Sequence, residues 1–179
     1  WPVAASLEGT SGLLRIPTTD VLPDGYVTAG VSYMDRKHSK VVAADTDAMP
    51  VFGGIGFLPN LELVGRLTVF HDLQAFNWTY NLDRSLKVLY RIRRQTGEYT
   101  PSLAIGVQDV GFGTRVSYLG KASYLVGTWE RDGWRLHLGA GRDRLDGLFG
   151  GVDINVSGNH RTHLIAEYDT DYLNAGVRA

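Results

Sequence analysis

From Tyr26 onward, apolar and polar residues take turns at every second position, the period of a pleated strand rather than of a helix. In "WRLHLGAGR", Trp134, Leu136, Leu138 and Ala140 share one face while Arg135, His137, Gly139 and Gly141 share the other. In "RSLKVLYRIRR", Leu86, Val88, Tyr90 and Ile92 oppose Ser85, Lys87, Leu89, Arg91 and Arg93. The runs "YVTAGVSY", "LELVGRLTVF", "SLAIGVQD", "LFGGVDINV", "THLIAEYD" and "YLNAGVRA" divide in the same way, and "LPN", "RDG", "SGN" and "DTD" punctuate them as turns. The pattern predicts about ten strands, near 25–34, 49–58, 60–70, 83–94, 101–109, 114–130, 133–142, 147–156, 161–168 and 171–179. Short turns between them make sequence neighbours antiparallel, and no capped apolar stripe of helical length appears.

What each face carries decides between architectures. One face holds almost no charge. The other holds Glu62, Arg66, Lys87, Arg91, Arg93, Arg115, Arg135, His137, Asp153, Glu167 and Asp169, interspersed with glycines such as Gly30, Gly56, Gly106 and Gly151. A solvated sandwich face has little use for glycine, which weakens an exposed strand, whereas a narrow interior filled by paired charges and small residues does. Tyr26, Tyr33, Tyr90, Trp129, Trp134, Tyr168 and Tyr172 fall near strand ends, where membrane barrels carry aromatic girdles. The expectation is an all-β fold: an antiparallel up-and-down transmembrane β-barrel of about ten strands over residues 25–179, with the charged row as its lumen-lining ladder. A soluble carbohydrate-binding β-sandwich is the alternative fold. Alternation is still running at "NAGVRA" with no terminal aromatic, so either further strands follow Ala179 or the barrel closes differently.

Residues 1–24 break the pattern. "TSGLLRIPTTDVLPDG" sets Pro17 and Pro23, which lack backbone donors, ahead of the Asp24–Gly25 turn. This predicts an extended N-terminal arm that packs against or inside the barrel through Leu13, Leu14 and Ile16. The chain opens on Trp1 rather than Met, as expected of a product whose leader has been removed.

Composition narrows the chemistry. The 179 residues hold 18 Lys and Arg against 19 Asp and Glu, which offers no basic stripe for nucleic acid. Cysteine is absent, so disulfides and thiolate metal sites are excluded. His163, Glu167 and Asp169 share a strand face but span about 20 Å, too far for one ion, and His160 falls in a turn. "GGIGF" and "GAGRD" precede no helix and cannot cradle a phosphate at a helix N-terminus. No metal or cofactor is expected. For acyl transfer, Ser32, Ser117 or Ser123 would need His38, His137 or His163 beside it, and local spacing brings none together. The cations Lys87, Arg91 and Arg93 are expected to pair with Glu62, Asp153 and Glu167 across the interior, the alternative being attraction of an anionic polysaccharide or lipid phosphate.

The order of motifs, "GTSGLLRIPTTDVLPDG", "GGIGFLPNLELVGRLT", "DRSLKVLYRI", "PSLAIGVQDVGFGT", "YLVGTWE", "LHLGAGRD", "LFGGVDI" and "LIAEYDTDYLNAGVRA", resembles the YjbH-like family of outer-membrane proteins associated with exopolysaccharide biosynthesis. The resemblance runs through nearly the whole chain. It implies a non-enzymatic β-barrel of the bacterial outer membrane, a structural, anchoring or conduit component linked to exopolysaccharide export, with no catalytic residues to carry over. Its partners would be outer-membrane lipid, other envelope or polysaccharide-export proteins and anionic polysaccharide. An outer-membrane lipid hydrolase or acyltransferase is the enzymatic alternative.

Overall fold

Each alternating run becomes a strand. The computed structural model of the chain describes residues 3–39, 47–70, 82–110, 121–157 and 162–179. They form β1 (Val27–Val31), β2 (Ala48–Leu58), β3 (Leu61–Phe70), β4 (Leu82–Arg93), β5 (Ser102–Gln108), β6 (Ala122–Arg131), β7 (Trp134–Asp143), β8 (Gly147–Asn155), β9 (His163–Tyr168) and β10 (Leu173–Arg178), plus one helical turn, α1 (Arg36–Ser39). All ten strands lie in a single sheet, in sequence order, with every neighbouring pair antiparallel. The fold is therefore all-β, as the alternation predicts. The expected strand 114–130 is seen from Ala122, and its first residues lie outside those described. β1 is shorter than expected because the chain is still turning at Gly25 (φ 77°) and at Tyr26, whose N–H donates to the Pro23 carbonyl.

The sheet rolls up. Laid flat, β1 and β10 would stand nine strand spacings apart, about 43 Å. Instead the Ser32 hydroxyl, just past β1, donates to the Leu7 carbonyl, and the Leu7 N–H donates to the Leu14 carbonyl at 2.8 Å. The Leu14 side chain in turn lies 2.9 Å from where a Cβ on Gly176 of β10 would stand. Both edges thus reach the same few arm residues.

The roll is not a closed barrel, and the expectation of closure is corrected here: among the described residues β1 and β10 share no ladder. The arm bridges them. It folds into a small irregular hairpin, with bridges Ala5–Ser11 and Gly12–Pro17, and grips each edge from the inside, Arg178 donating to the Gly12 carbonyl at 3.4 Å.

The core sits between the concave face and this arm. Leu13, Ile16 and Val21 pack with Leu89, Ala104, Tyr124, Val126, Leu145, Phe149 and Ile165, and Leu14 flanks them. Large rings inside so tight a roll need open space opposite them, which explains the interior glycines. Gly106 pairs with Tyr124 across β5 and β6, and a Cβ there would overlap the Tyr124 ring. Phe149 meets Tyr124 edge to face, with centroids 6.3 Å apart.

Gly106→Ala is expected to lower stability by ~1–3 kcal/mol through overpacking. The double substitution Gly106→Ala with Tyr124→Leu should recover part of that loss, as measured by denaturant unfolding.

Candidate functional site

The concave face carries charges that strand alternation directs inward, and the arm compensates them. Glu8 is buried among cations from three places in the chain. Its carboxylate meets Lys87 Nζ of β4 at 3.0 Å, Arg66 Nη1 of β3 at 3.3 Å and Arg144 Nη1, in the β7–β8 turn, at 3.2 Å. Arg66 also reaches Asp83 at 3.1 Å, and Arg15 of the arm reaches Asp169 at 2.8 Å. Burial alone would raise the Glu8 pKa, but the opposing fields of Arg144, Lys87, Arg66 and Arg15 outweigh it and hold the carboxyl far below its ordinary value.

Two other glutamates hold arm backbone. An arm without regular secondary structure has buried N–H groups to satisfy. Glu62 on β3 accepts from the Ser11 N–H at 2.9 Å, the Ser11 hydroxyl and the Leu22 N–H at 3.0 Å. Glu167 on β9 accepts from the N–H groups of Leu14, Arg15 and Ile16 at 3.0, 2.8 and 3.3 Å, and from Asn174 at 3.2 Å. Asp20 closes the arm's return path on Arg135 Nη2, at 2.7 and 2.8 Å, and that guanidinium lowers the Asp20 pKa against the effect of burial.

Glu62, Arg66, Lys87, Arg135, His137, Asp153, Glu167 and Asp169 are thus all buried on the concave side, and so are Leu13 and Ile16 of the arm. The expected pairing of Lys87, Arg91 and Arg93 with Glu62, Asp153 and Glu167 is corrected. Lys87 pairs with Glu8, Arg91 donates to Asn60 Oδ1 at 3.2 Å, and Arg93 to the Pro101 carbonyl at 3.3 Å. A register shift between Arg91 and Arg93 pairs Arg93 with Leu103 and carries it out of the inward row, so it is exposed. Asp153 holds His163 Nδ1 at 2.8 Å and Arg178 at 2.5 Å. Arg115, His160 and Ser117 lie outside the described residues.

Sequence reasoning missed Glu8, Arg15, Asp20, Asp83 and Arg144. Glu8, Arg15 and Asp20 belong to the arm, and Arg144 to a turn, so none falls in an alternating run. Asp83 does, at the first inward position of β4, and its place opposite Thr68 was the available signal. Neither described candidate serine is paired with a histidine: the Ser32 hydroxyl serves the Leu7 carbonyl, and Ser123 lies on the convex face, opposite to His137 and His163. Among the described residues, no group of three His, Asp or Glu side chains is placed to hold a metal.

A cavity of about 700 Å³ opens where the arm's return path passes the short turns, between residues of the β4–β5 turn, the β6–β7 turn and Thr19–Pro23. Arg91, Arg94, Arg131 and Arg135 line it together with Asp20, Glu98, Glu130 and Asp132, four cations and four carboxylates. Gln95 fixes its wall by exchanging hydrogen bonds with the Glu130 backbone, at 2.9 and 2.7 Å.

The model of a protein family described as "Exopolysaccharide biosynthesis protein YbjH" matches residues 5–162, a span that takes in the docked arm and β1 through β8. The chain belongs to this family. Membership links the chain to exopolysaccharide biosynthesis. Comparison with curated proteins and with solved structures finds no match.

Glu8→Gln is expected to cost ~3–5 kcal/mol, because it leaves buried cations without their carboxylate. The same group predicts a pH dependence. With its folded pKa depressed, Glu8 contributes fully above its ordinary value of 4.5, and the contribution is lost as pH falls below it. Unfolding midpoints measured from pH 7 down to pH 3 should fall for the wild type and be flatter for Glu8→Gln.

Proposed function

We propose that this protein is a non-enzymatic component of the bacterial outer membrane, a rolled β-sheet that anchors or scaffolds an exopolysaccharide-producing envelope assembly. The observation that carries the reading is the inverted polarity of the roll. Charged side chains are buried inside, while every strand turns at least one large apolar side chain outward, from Val31 on β1 through Leu67, Ile105, Leu125 and Leu138 to Val177 on β10. A protein surrounded by water rarely exposes a contiguous apolar surface of that extent.

The few cations on the convex side support the same reading. Arg84, Arg93 and Arg142 all stand within three residues of a strand end, where long side chains reach headgroups rather than acyl chains. Exposed Tyr90, Trp134 and Tyr168 lie at strand ends too, the level at which membrane barrels place aromatic girdles. β2, β3, β4, β6, β7 and β8 have 9 to 12 residues each, the length that spans a bilayer when tilted. The filled interior favours a scaffold over a wide conduit, since Leu13, Ile16 and Val21 occupy the space a channel would need.

Leu138→Arg and Leu125→Arg each put a cation on the outward face near mid-strand, away from the Arg positions, and should cost ~2–4 kcal/mol of membrane stability. Both are expected to abolish heat-modifiable migration in mild detergent and recovery in the outer-membrane fraction. If both variants stayed folded and monomeric in detergent-free buffer, the membrane reading would be wrong.

A further inference from the structure

We propose that the cavity at the short-turn end binds an acidic sugar, a uronic-acid residue of a glycan, through Arg91 and Arg94. The proposal rests on the exopolysaccharide role given above and assigns it a ligand class and a site.

The cavity's charges are unevenly satisfied. Arg135 is committed to Asp20 at 2.7 Å and lies 3.6 Å from Glu130, while Arg131 pairs with Glu98 at 3.3 Å. Arg91 has only neutral oxygens, Asn60 Oδ1 and the Pro59 carbonyl, and Arg94 has no hydrogen bond or ion pair among the described residues. Two guanidiniums line a single cavity, and among the described residues no carboxylate lies within ion-pair distance of either. Such a pair repels until an anion joins it, and a planar carboxylate matches a guanidinium fork.

The rest of the lining selects the remainder of the ligand. Glu130 and Asp132 of the β6–β7 hairpin also line the cavity, and carboxylates there accept from hydroxyl donors rather than from a second anion. Thr19, Ser102 and Thr128 add neutral hydroxyls. Among the described residues no aromatic ring lines the cavity, so they offer no stacking platform of the kind that usually holds a neutral sugar. Its volume of about 700 Å³ falls within the range of small-ligand sites, roughly 300–1,000 Å³. A carboxylate for the arginines, joined to hydroxyls for the acids, describes a sugar acid.

Place and chemistry agree. The connections at this end, β2–β3, β4–β5, β6–β7 and β8–β9, have two, eight, two and seven residues, shorter on average than those at the other end, and in outer-membrane barrels the shorter turns face the periplasm, the side from which an exported glycan arrives. Site and ligand would then meet on the exit path.

The test is titration of the detergent-purified full chain with tetragalacturonate, with a neutral tetrasaccharide of glucose and with inorganic phosphate, followed by isothermal calorimetry. Tetragalacturonate is expected to bind, the neutral oligosaccharide not to, and Arg94→Gln to weaken binding by about tenfold or more. Because Arg94 supports no other group, that variant should keep the wild-type unfolding midpoint, and Arg84→Gln on the convex face serves as a charge-matched control with unchanged binding. Equal binding of the neutral sugar, no binding of tetragalacturonate at millimolar concentration, or undiminished binding by an Arg91→Gln, Arg94→Gln double variant would overturn the proposal. So would phosphate displacing the oligosaccharide at equal concentration, which would make this a general anion site. None of these outcomes touches the membrane reading, which stands or falls on the insertion of Leu138→Arg and Leu125→Arg.

Discussion

Everything inside the roll depends on one carboxylate supplied from outside the sheet. Strand alternation turns Arg66 and Lys87 toward the concave side, where neither can stay charged without a partner. Glu8 of the arm answers both, and Arg144 as well. A buried ion cluster of this kind adds little net stability over a well-packed apolar core, but breaking it is costly, so it selects one docked position for the arm rather than many. The sheet cannot have this interior without the arm, nor the arm this path without the sheet.

The same reciprocity explains why the arm has no regular secondary structure. In a strand or helix its N–H groups would be used internally. Here Glu62 and Glu167 take five of them from opposite walls of the roll, and Pro17 and Pro23 fall where no donor is required. Gly56 completes the fit: the Pro23 carbonyl lies where its side chain would begin. The arm also replaces the missing ladder between β1 and β10, gripping Ser32 on one edge and Arg178 on the other.

Strand positions were legible because period-two alternation is a local property, and the observed bounds of β2, β3, β4 and β7 differ from the expected ones by one residue or less at most ends. The inward direction of Glu62, Lys87, His137 and Glu167 followed from the same parity. Their partners did not. Glu62 and Lys87 look like a cross-strand pair in sequence, yet one holds the Ser11 and Leu22 backbone and the other holds Glu8, because the arm contributes bonds that no spacing rule places. Arg93 escaped for a different reason: a bulge adds one residue, and a single step reverses the face. Closure was the other overreach, since alternation shows that a sheet has two unlike faces and not whether its first and last strands meet.

The arm's bonds have a kinetic consequence. Glu8 to Lys87 closes 79 residues of chain, Leu14 to Glu167 closes 153, and Arg178 to Gly12 closes 166. Each is a long loop whose entropy must be lost before the contact gives anything back, so these are the slowest kind of native contact to form. Hairpins between successive strands need no such search. The arm is therefore built to meet the growing meander first at β3 and β4, through Ser11 and Glu8, and to meet β9 and β10 only once those last strands have joined it.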